Sequence, residues 1–244
     1  MNQEIKILGK QAKVAGRHLS QLSNPQRNAA LSSIAKMIRA RTNEILAANG
    51  DDLHAGTEAG LSAHLLDRLK LTPERLEGIA AGVEKVAMLP DPIGEEFDSR
   101  VLDNGLRISK RRIPIGVIGV IYEARPNVTA DIAALCIKSG NAAILRGGKE
   151  ARRSNRALAD VVAAGCADAG LPDNSVQLVH STDRSLVREL LRADDYIDMI
   201  IPRGGASLHR FALENATIPS SPGGWAWCIF MWIKPPTLPK SYRL

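Results

Sequence analysis

Ile115-Gly-Val-Ile-Gly-Val-Ile121 is a short apolar run. Tyr122-Glu-Ala-Arg-Pro-Asn127 follows it, and from Val128 to Lys138 the apolar residues return at helical spacing until Gly140 closes the stretch. A strand with no polar face, feeding a helix through a polar turn, is the unit from which parallel sheets are built. Three more units follow. Ala142–Leu145 precedes a helix over Glu150–Ala169 that ends at Gly170-Leu-Pro. Val176–Val179 precedes a helix over Asp183–Arg192, and a strand from near Tyr196 to Ile201 precedes one over Ala206–Glu214. Four β-α repeats predict an α/β fold with a doubly wound parallel sheet covered on both faces.

Upstream, about ninety residues read as helices. Gln11–Leu22 is rich in Ala and Leu. Ser23-Asn24-Pro25 is a stop followed by a start, with Asn24 as the expected N-cap and Pro25 at the first helical position. The helix from Pro25 to about Ala48 places Leu31, Ile34, Met37 and Ile38 on one stripe and its basic residues on a solvated face. A third helix opens at Thr72-Pro73 and runs to about Met88. Between helices and sheet, Asn104-Gly105 separates two strand-like runs. The pair predicts a hairpin, over about residues 98–113, with positive φ at both central turn positions.

Composition excludes several classes. The chain has 244 residues, 45% hydrophobic and 24% charged, which is ordinary for a packed globular protein. Its net charge of +6 is uneven: residues 220–244 hold three basic residues, no acid, all three tryptophans and four of the 13 prolines. The remaining 29 basic and 26 acidic residues carry +3, too little to argue for nucleic acid. Cys136, Cys166 and Cys228 are widely spaced and form no CxxC pair, so neither a disulfide framework nor a zinc site is expected, and the histidines show no ligand spacing. The start lacks a signal-peptide run. The longest apolar stretch, Ile113–Tyr122, contains Pro114 and two glycines and cannot span a bilayer. The expectation is a cytoplasmic chain with no metal and no membrane contact.

In a doubly wound sheet, ligands bind outside the carboxyl ends of the strands. The loops there are Tyr122–Thr129, Arg146–Ala151 and Pro202–Ser207. Arg146-Gly147-Gly148-Lys149 and Arg203-Gly204-Gly205 are glycine pairs flanked by basic residues just before helices. Glycines let a phosphate approach the backbone, the helix N-terminus offers N–H donors, and Arg or Lys supplies charge, so a phosphorylated ligand or a dinucleotide is expected. No GxGxxG follows any strand. A GxxxxGK[ST] loop ending at Lys149 would need glycine at 143 and Ser or Thr at 150, where the chain has Ala143 and Glu150. Glu123, Arg125 and Asn127 crowd the first loop, either as a capped helix start or as ligand contacts. Cys136 and Cys166 lie on apolar helix faces and read as buried structural thiols.

Arg112-Ile-Pro-Ile-Gly-Val-Ile-Gly-Val-Ile-Tyr-Glu-Ala-Arg-Pro-Asn-Val-Thr129 resembles the signature of the gamma-glutamyl phosphate reductase (glutamate-5-semialdehyde dehydrogenase) family. Leu66–Leu76, Gly140–Glu150 and Tyr196–Gly205 are similar to it as well. The resemblance runs from the first helices to about Pro219. It implies the cofactor domain of the aldehyde dehydrogenase fold, preceded by N-terminal helices, over residues 1–219. It also implies NADPH-dependent reduction of L-glutamate 5-phosphate to the semialdehyde with release of phosphate, in proline biosynthesis. There a cysteine thiolate attacks the acyl carbon, phosphate leaves, and NADP(H) supplies the hydride. Carried over by the resemblance, Asn127 helps hold the oxyanion, Arg146 lies near the adenosine ribose, and Gly204-Gly205 lie under the pyrophosphate. Glu123 and Arg125 become substrate-contact candidates. The hairpin becomes an arm for homo-oligomers, and contact with a glutamate 5-kinase is a further implied partnership.

The resemblance stops where the composition breaks. Family members are longer, and their nucleophilic cysteine lies in a segment with no counterpart here, so the catalytic domain is expected to be missing. Trp225-Ala-Trp-Cys-Ile-Phe-Met-Trp232 has nearly forced codons. Reading them one base earlier restores the family pattern Gly-Gly-x-Gly-Val-x-His-Ile-Tyr-Val-Asp. Residues 220–244 are therefore expected to be an out-of-frame, non-native tail and the chain to be catalytically inactive. Two other readings stay open: a stand-alone dinucleotide- or phosphate-binding module, and a non-functional remnant. Sequencing the coding DNA past residue 219 separates them. Continuation in the shifted frame into a cysteine-bearing dehydrogenase segment is expected; its absence would favour a genuine short protein.

Overall fold

The computed structural model describes residues 2–221 apart from 182 and 184. Of the segment expected to be out of frame, residues 220–244, the part from residue 222 onward, Cys228 included, lies outside the described residues.

Five helices come first, not three: α1 (Gln3–Leu19), α2 (Asn24–Ala40), α3 (Thr42–Glu58), α4 (Ala63–Leu69) and α5 (Pro73–Met88). The long helix expected from Pro25 breaks at Arg41, whose backbone leaves helical geometry at φ −106°, ψ 24° while its guanidinium pairs with Glu44 at 2.6 Å. The α2 cap is Ser23 rather than Asn24. The Ser23 N–H donates to Gln26 Oε1 at 2.9 Å, which puts Pro25 at the second helical position. The cap of α5 is Thr72, as read from the sequence.

The hairpin is β1 (Glu96–Val101) and β2 (Arg107–Arg111), antiparallel and exposed at every residue. Its turn differs from the expectation. Positive φ occurs at Gly105 (83°) but not at Asn104, and the Gly105 N–H donates to Leu102 O at 2.8 Å. This is a type I turn followed by one left-handed glycine, and the Asn104 side chain accepts from Leu106 N at 3.0 Å.

Four parallel strands form the sheet: β3 (Val117–Tyr122), β4 (Ala142–Arg146), β5 (Val176–Leu178) and β6 (Met199–Arg203), in the order β5-β4-β3-β6. The chain steps outward from β3 to β5 and then returns to the other side of β3, so β3/β6 is the topological switch point. Between strands lie α6 (Asn127–Lys138), α7 (Arg152–Asp168) and α8 (Ser185–Leu190), with α9 (Ala206–Asn215) after β6. Helices α6 and α7 cover one face and are themselves covered by α2, α3 and α5, while α1 packs across β3, β4 and β5 on the opposite face. Every residue of β3 is buried, as a central parallel strand requires. A Cβ on Gly165 would stand 2.6 Å from Ile34 Cα, so α2 and α7 meet backbone to backbone.

Two buried polar contacts lock the N-terminal helices to the sheet domain. Arg27, 2% exposed, donates to Lys138 O and to Asp91 Oδ2, both at 2.8 Å. Asp52 of α3, 3% exposed, accepts from Ser154 N at 2.8 Å, Ser154 Oγ at 2.7 Å and Arg153 N at 3.2 Å. It therefore caps α7 from another helix. Removing it strands two backbone donors and a hydroxyl in a dry place. Asp52→Ala should cost roughly 1.5–3 kcal/mol, read as a lower urea midpoint at unchanged slope, and Asp52→Asn should cost less because its amide oxygen can still accept.

Candidate nucleotide-binding cleft

A cleft of about 990 Å³ opens at the carboxyl ends of β3, β4 and β6. Its floor is Ile121 and Tyr122. The loop after β3 brings Glu123, Ala124 and Arg125; the loop after β4 brings Arg146, Gly148, Lys149 and Glu150; the loop after β6 brings Arg203, Gly204 and Gly205. All three loops singled out in the sequence thus converge. Its apolar lining comes from Leu61 and Leu65 and from Val187, Leu208 and Phe211. Arg68 of α4 also lines the cleft, so five cations face two carboxylates there. Arg68 and Leu65 escaped sequence reading because α4 did; the signal was Ser62, whose hydroxyl caps that short helix by accepting from Leu65 N at 3.4 Å.

Three details differ from what the loop sequences suggest. The N–H donors expected of the helix after Arg146–Lys149 are not available to a ligand. A 3-10 turn over Lys149–Ala151 intervenes, and Asp52 already holds the first donors of α7. Gly147 faces away from the cleft, and its missing Cβ makes room for Asn155 Nδ2. Asn155 belongs to a buried chain: Tyr122 OH meets Thr129 Oγ1 at 2.7 Å, and Thr129 Oγ1 donates to Asn155 Oδ1 at 3.3 Å. That chain ties β3, α6 and α7 beneath the cleft floor.

Asn127 begins α6, half-buried, and is not among the residues lining the cleft. Its Nδ2 donates to Asp131 Oδ2 at 2.8 Å, one helical turn on. Burial raises the Asp131 carboxyl above its usual range, opposed by the Asn127 bond and by the charge of Arg203. At the β3/β6 switch point, Glu123 Oε1 accepts from Gly205 N at 3.1 Å. Gly205 is the N-cap of α9, so this carboxylate sits at the positive end of a helix.

The chain matches the aldehyde dehydrogenase family over residues 2–218 and belongs to it. Among particular proteins, it is similar to the gamma-glutamyl phosphate reductases of Roseiflexus castenholzii and Aeromonas salmonicida, at 56% and 57% identity over 91% and 89% of this chain. Those matches cover 53% and 52% of the relatives. The crystal structure of gamma-glutamyl phosphate reductase from Thermotoga maritima superposes with a TM-score of 0.87 at 40% identity, over 89% of this chain and 53% of that one. The Saccharomyces cerevisiae enzyme gives 0.82 at 39%, over 90% and 56%. The resemblance seen in the motifs is borne out, and the chain spans about half the length of the curated relatives it matches. A probable aldehyde dehydrogenase from Listeria monocytogenes, 14% identical with a TM-score of 0.71, shares the fold.

Among the described residues no helix is long and apolar enough to cross a membrane, and no group of three His, Cys, Asp or Glu is placed to hold a metal ion. Cys136 and Cys166 are buried and line no part of the cleft. Burial pushes both thiols up to about 12. In a Cys228→Ser background, neither should react appreciably with a thiol reagent at pH 8 until the chain is unfolded. Because the folded state holds these protons more tightly, the stability they contribute is complete below the unfolded thiol value of about 8.5. It should decline as the pH rises from there through about 12. A monitored urea titration at several alkaline pH values checks the sign.

Proposed function

We propose that the cleft is the nucleotide site of an NADPH-dependent reductase that converts L-glutamate 5-phosphate to L-glutamate 5-semialdehyde with release of phosphate, a step of proline biosynthesis. The observation that carries this assignment is the convergence of Gly148, the Gly204-Gly205 pair and five cations at the switch point of a doubly wound sheet. The cleft fits NADP(H): its volume suits a large ligand, the apolar walls suit an adenine, and Arg146 and Lys149 suit a ribose phosphate. When bound, the cofactor supplies the hydride.

The residues of this chain bind and orient. Arg146 and Lys149 meet the adenosine end, and Arg203 with Gly204-Gly205 the pyrophosphate. Asn127 offers the second N–H of its amide to an oxyanion, held in place by Asp131. Arg125, exposed at the cleft mouth, suits the substrate's phosphate or carboxylate. Neither buried thiol takes the part of nucleophile, and Cys228 lies in the segment expected to be out of frame, in surroundings unlike the family's, so this chain alone binds without turnover. The exposed two-stranded hairpin is marginal by itself and takes a second copy as its cover. A cytoplasmic setting, beside the glutamate 5-kinase that would supply the acyl phosphate, completes the picture.

Two measurements test it. Arg146→Ala with Lys149→Ala should weaken NADPH binding by on the order of tenfold or more, and NADH binding far less; equal losses would remove the NADP assignment. The purified chain should form no NADPH from NADP, semialdehyde and phosphate. Turnover that disappeared in Cys136→Ser or Cys166→Ser would overturn the exclusion of those thiols.

A further inference from the structure

Glu123 is the first residue past β3. Its N–H donates to Arg203 O at 3.3 Å, which carries the β3–β6 pairing one step beyond the strands and sets Glu123 beside the second glycine pair. A Cβ on Gly204 would stand 2.6 Å from Glu123 Cδ and 2.7 Å from Oε1. The carboxylate thus fills the space that any other residue at 204 would take, and from there it accepts from the Gly205 N–H at 3.1 Å. The side chain is nevertheless exposed, and no ion pair among the described residues ties it down. A cleft with a cationic excess has put one of its two carboxylates on the donor at its switch point.

We propose that Glu123 is the resident counter-anion of the cleft: it holds the Gly205 N–H while the cleft is empty and is displaced by a pyrophosphate group of the ligand. This rests on the assignment of the cleft as a nucleotide site and adds what the ligand must do to enter. A single exposed carboxylate on one backbone donor is weakly held in water. A pyrophosphate carries more charge and can engage Gly205 together with Arg203, so it wins the donor. The carboxylate it expels stays nearby and repels it, and Glu123 thereby sets an upper limit on affinity. Seen this way Glu123 opposes the phosphate groups instead of binding the substrate.

The test uses the whole chain, with inorganic pyrophosphate and NADPH as probes in titration calorimetry. Glu123→Gln keeps the shape and removes the charge. It should tighten both ligands roughly three- to tenfold at low salt, with the gain shrinking as salt is raised. Glu123→Asp, charged but a methylene too short to reach Gly205 from the same backbone position, should give a smaller gain. An unchanged thermal midpoint in both variants shows that the fold is intact. Weaker binding in Glu123→Gln would make Glu123 a ligand contact, and equal binding would make the contact idle; either overturns the proposal and leaves the nucleotide site standing. Pyrophosphate responding as expected while NADPH fails to bind would keep the counter-anion and remove the nucleotide. If neither probe binds any variant, both fall.

Discussion

β3 has no exposed face, and that constraint organises the molecule. A strand buried at all six residues carries no charged side chain, and its one polar group, the Tyr122 hydroxyl, is spent on Thr129, so its charged chemistry is displaced to its ends. At the amino end, Val117 N donates to Asp198 Oδ2 at 2.8 Å, and Lys13 pairs with the same carboxylate's other oxygen at 2.7 Å. That end is closed by structure. At the carboxyl end the first residue free of the sandwich is Glu123, followed by Arg125 and Asn127. Because β6 returns beside β3, the loops after both strands leave the sheet together with no helix between them. The cleft is the consequence of that topology.

The sheet was legible because its signal is local. Short apolar runs ending in Gly or polar turns give all four strands to within about three residues, and the helices of the β-α units follow from their spacing. The N-terminal helices were less legible. The break at Arg41 involves no Pro or Gly, and α4 is only seven residues long, held where α3 and its neighbours leave room. The hairpin is legible in Asn104-Gly105, but the type of its turn is not. Asn-Gly permits positive φ at both positions, and the chain used only Gly105 because a three-residue connection needs no more.

In the candidate site, the glycine pairs, the cations and Glu123 are legible as loop chemistry, and the backbone donors that the carboxylates of Asp52 and Glu123 meet are not. Asp52 reaches Ser154 across 102 positions, and Glu123 reaches Gly205 across 82. Nothing in a local window signals such a pair. Asp131 is the exception. Its distance of four from Asn127 places the two on one helical face, so the contact was available to a reader who took Asn127 as the start of α6 and looked one turn on.

Asp52 and Glu123 do similar work with opposite consequences. Each is a carboxylate from a distant segment accepting from backbone N–H groups where a helix follows a glycine pair. Asp52 is 3% exposed and satisfies three donors, so burial disfavours its replacement by water. Glu123 is exposed and satisfies one, so water or another anion can take its place at small cost. The same chemistry is thereby divided by burial into a structural cap under the β4–α7 loop and an exposed one over the β6–α9 loop. The division also separates the two glycine pairs. Arg146–Lys149 contributes side-chain charge from a loop whose following helix is already capped, whereas Gly205 contributes a backbone donor held only by an exposed carboxylate. Under the proposed function, a ligand bearing both a peripheral phosphate and a central pyrophosphate would meet each loop with the group that the loop can still accept.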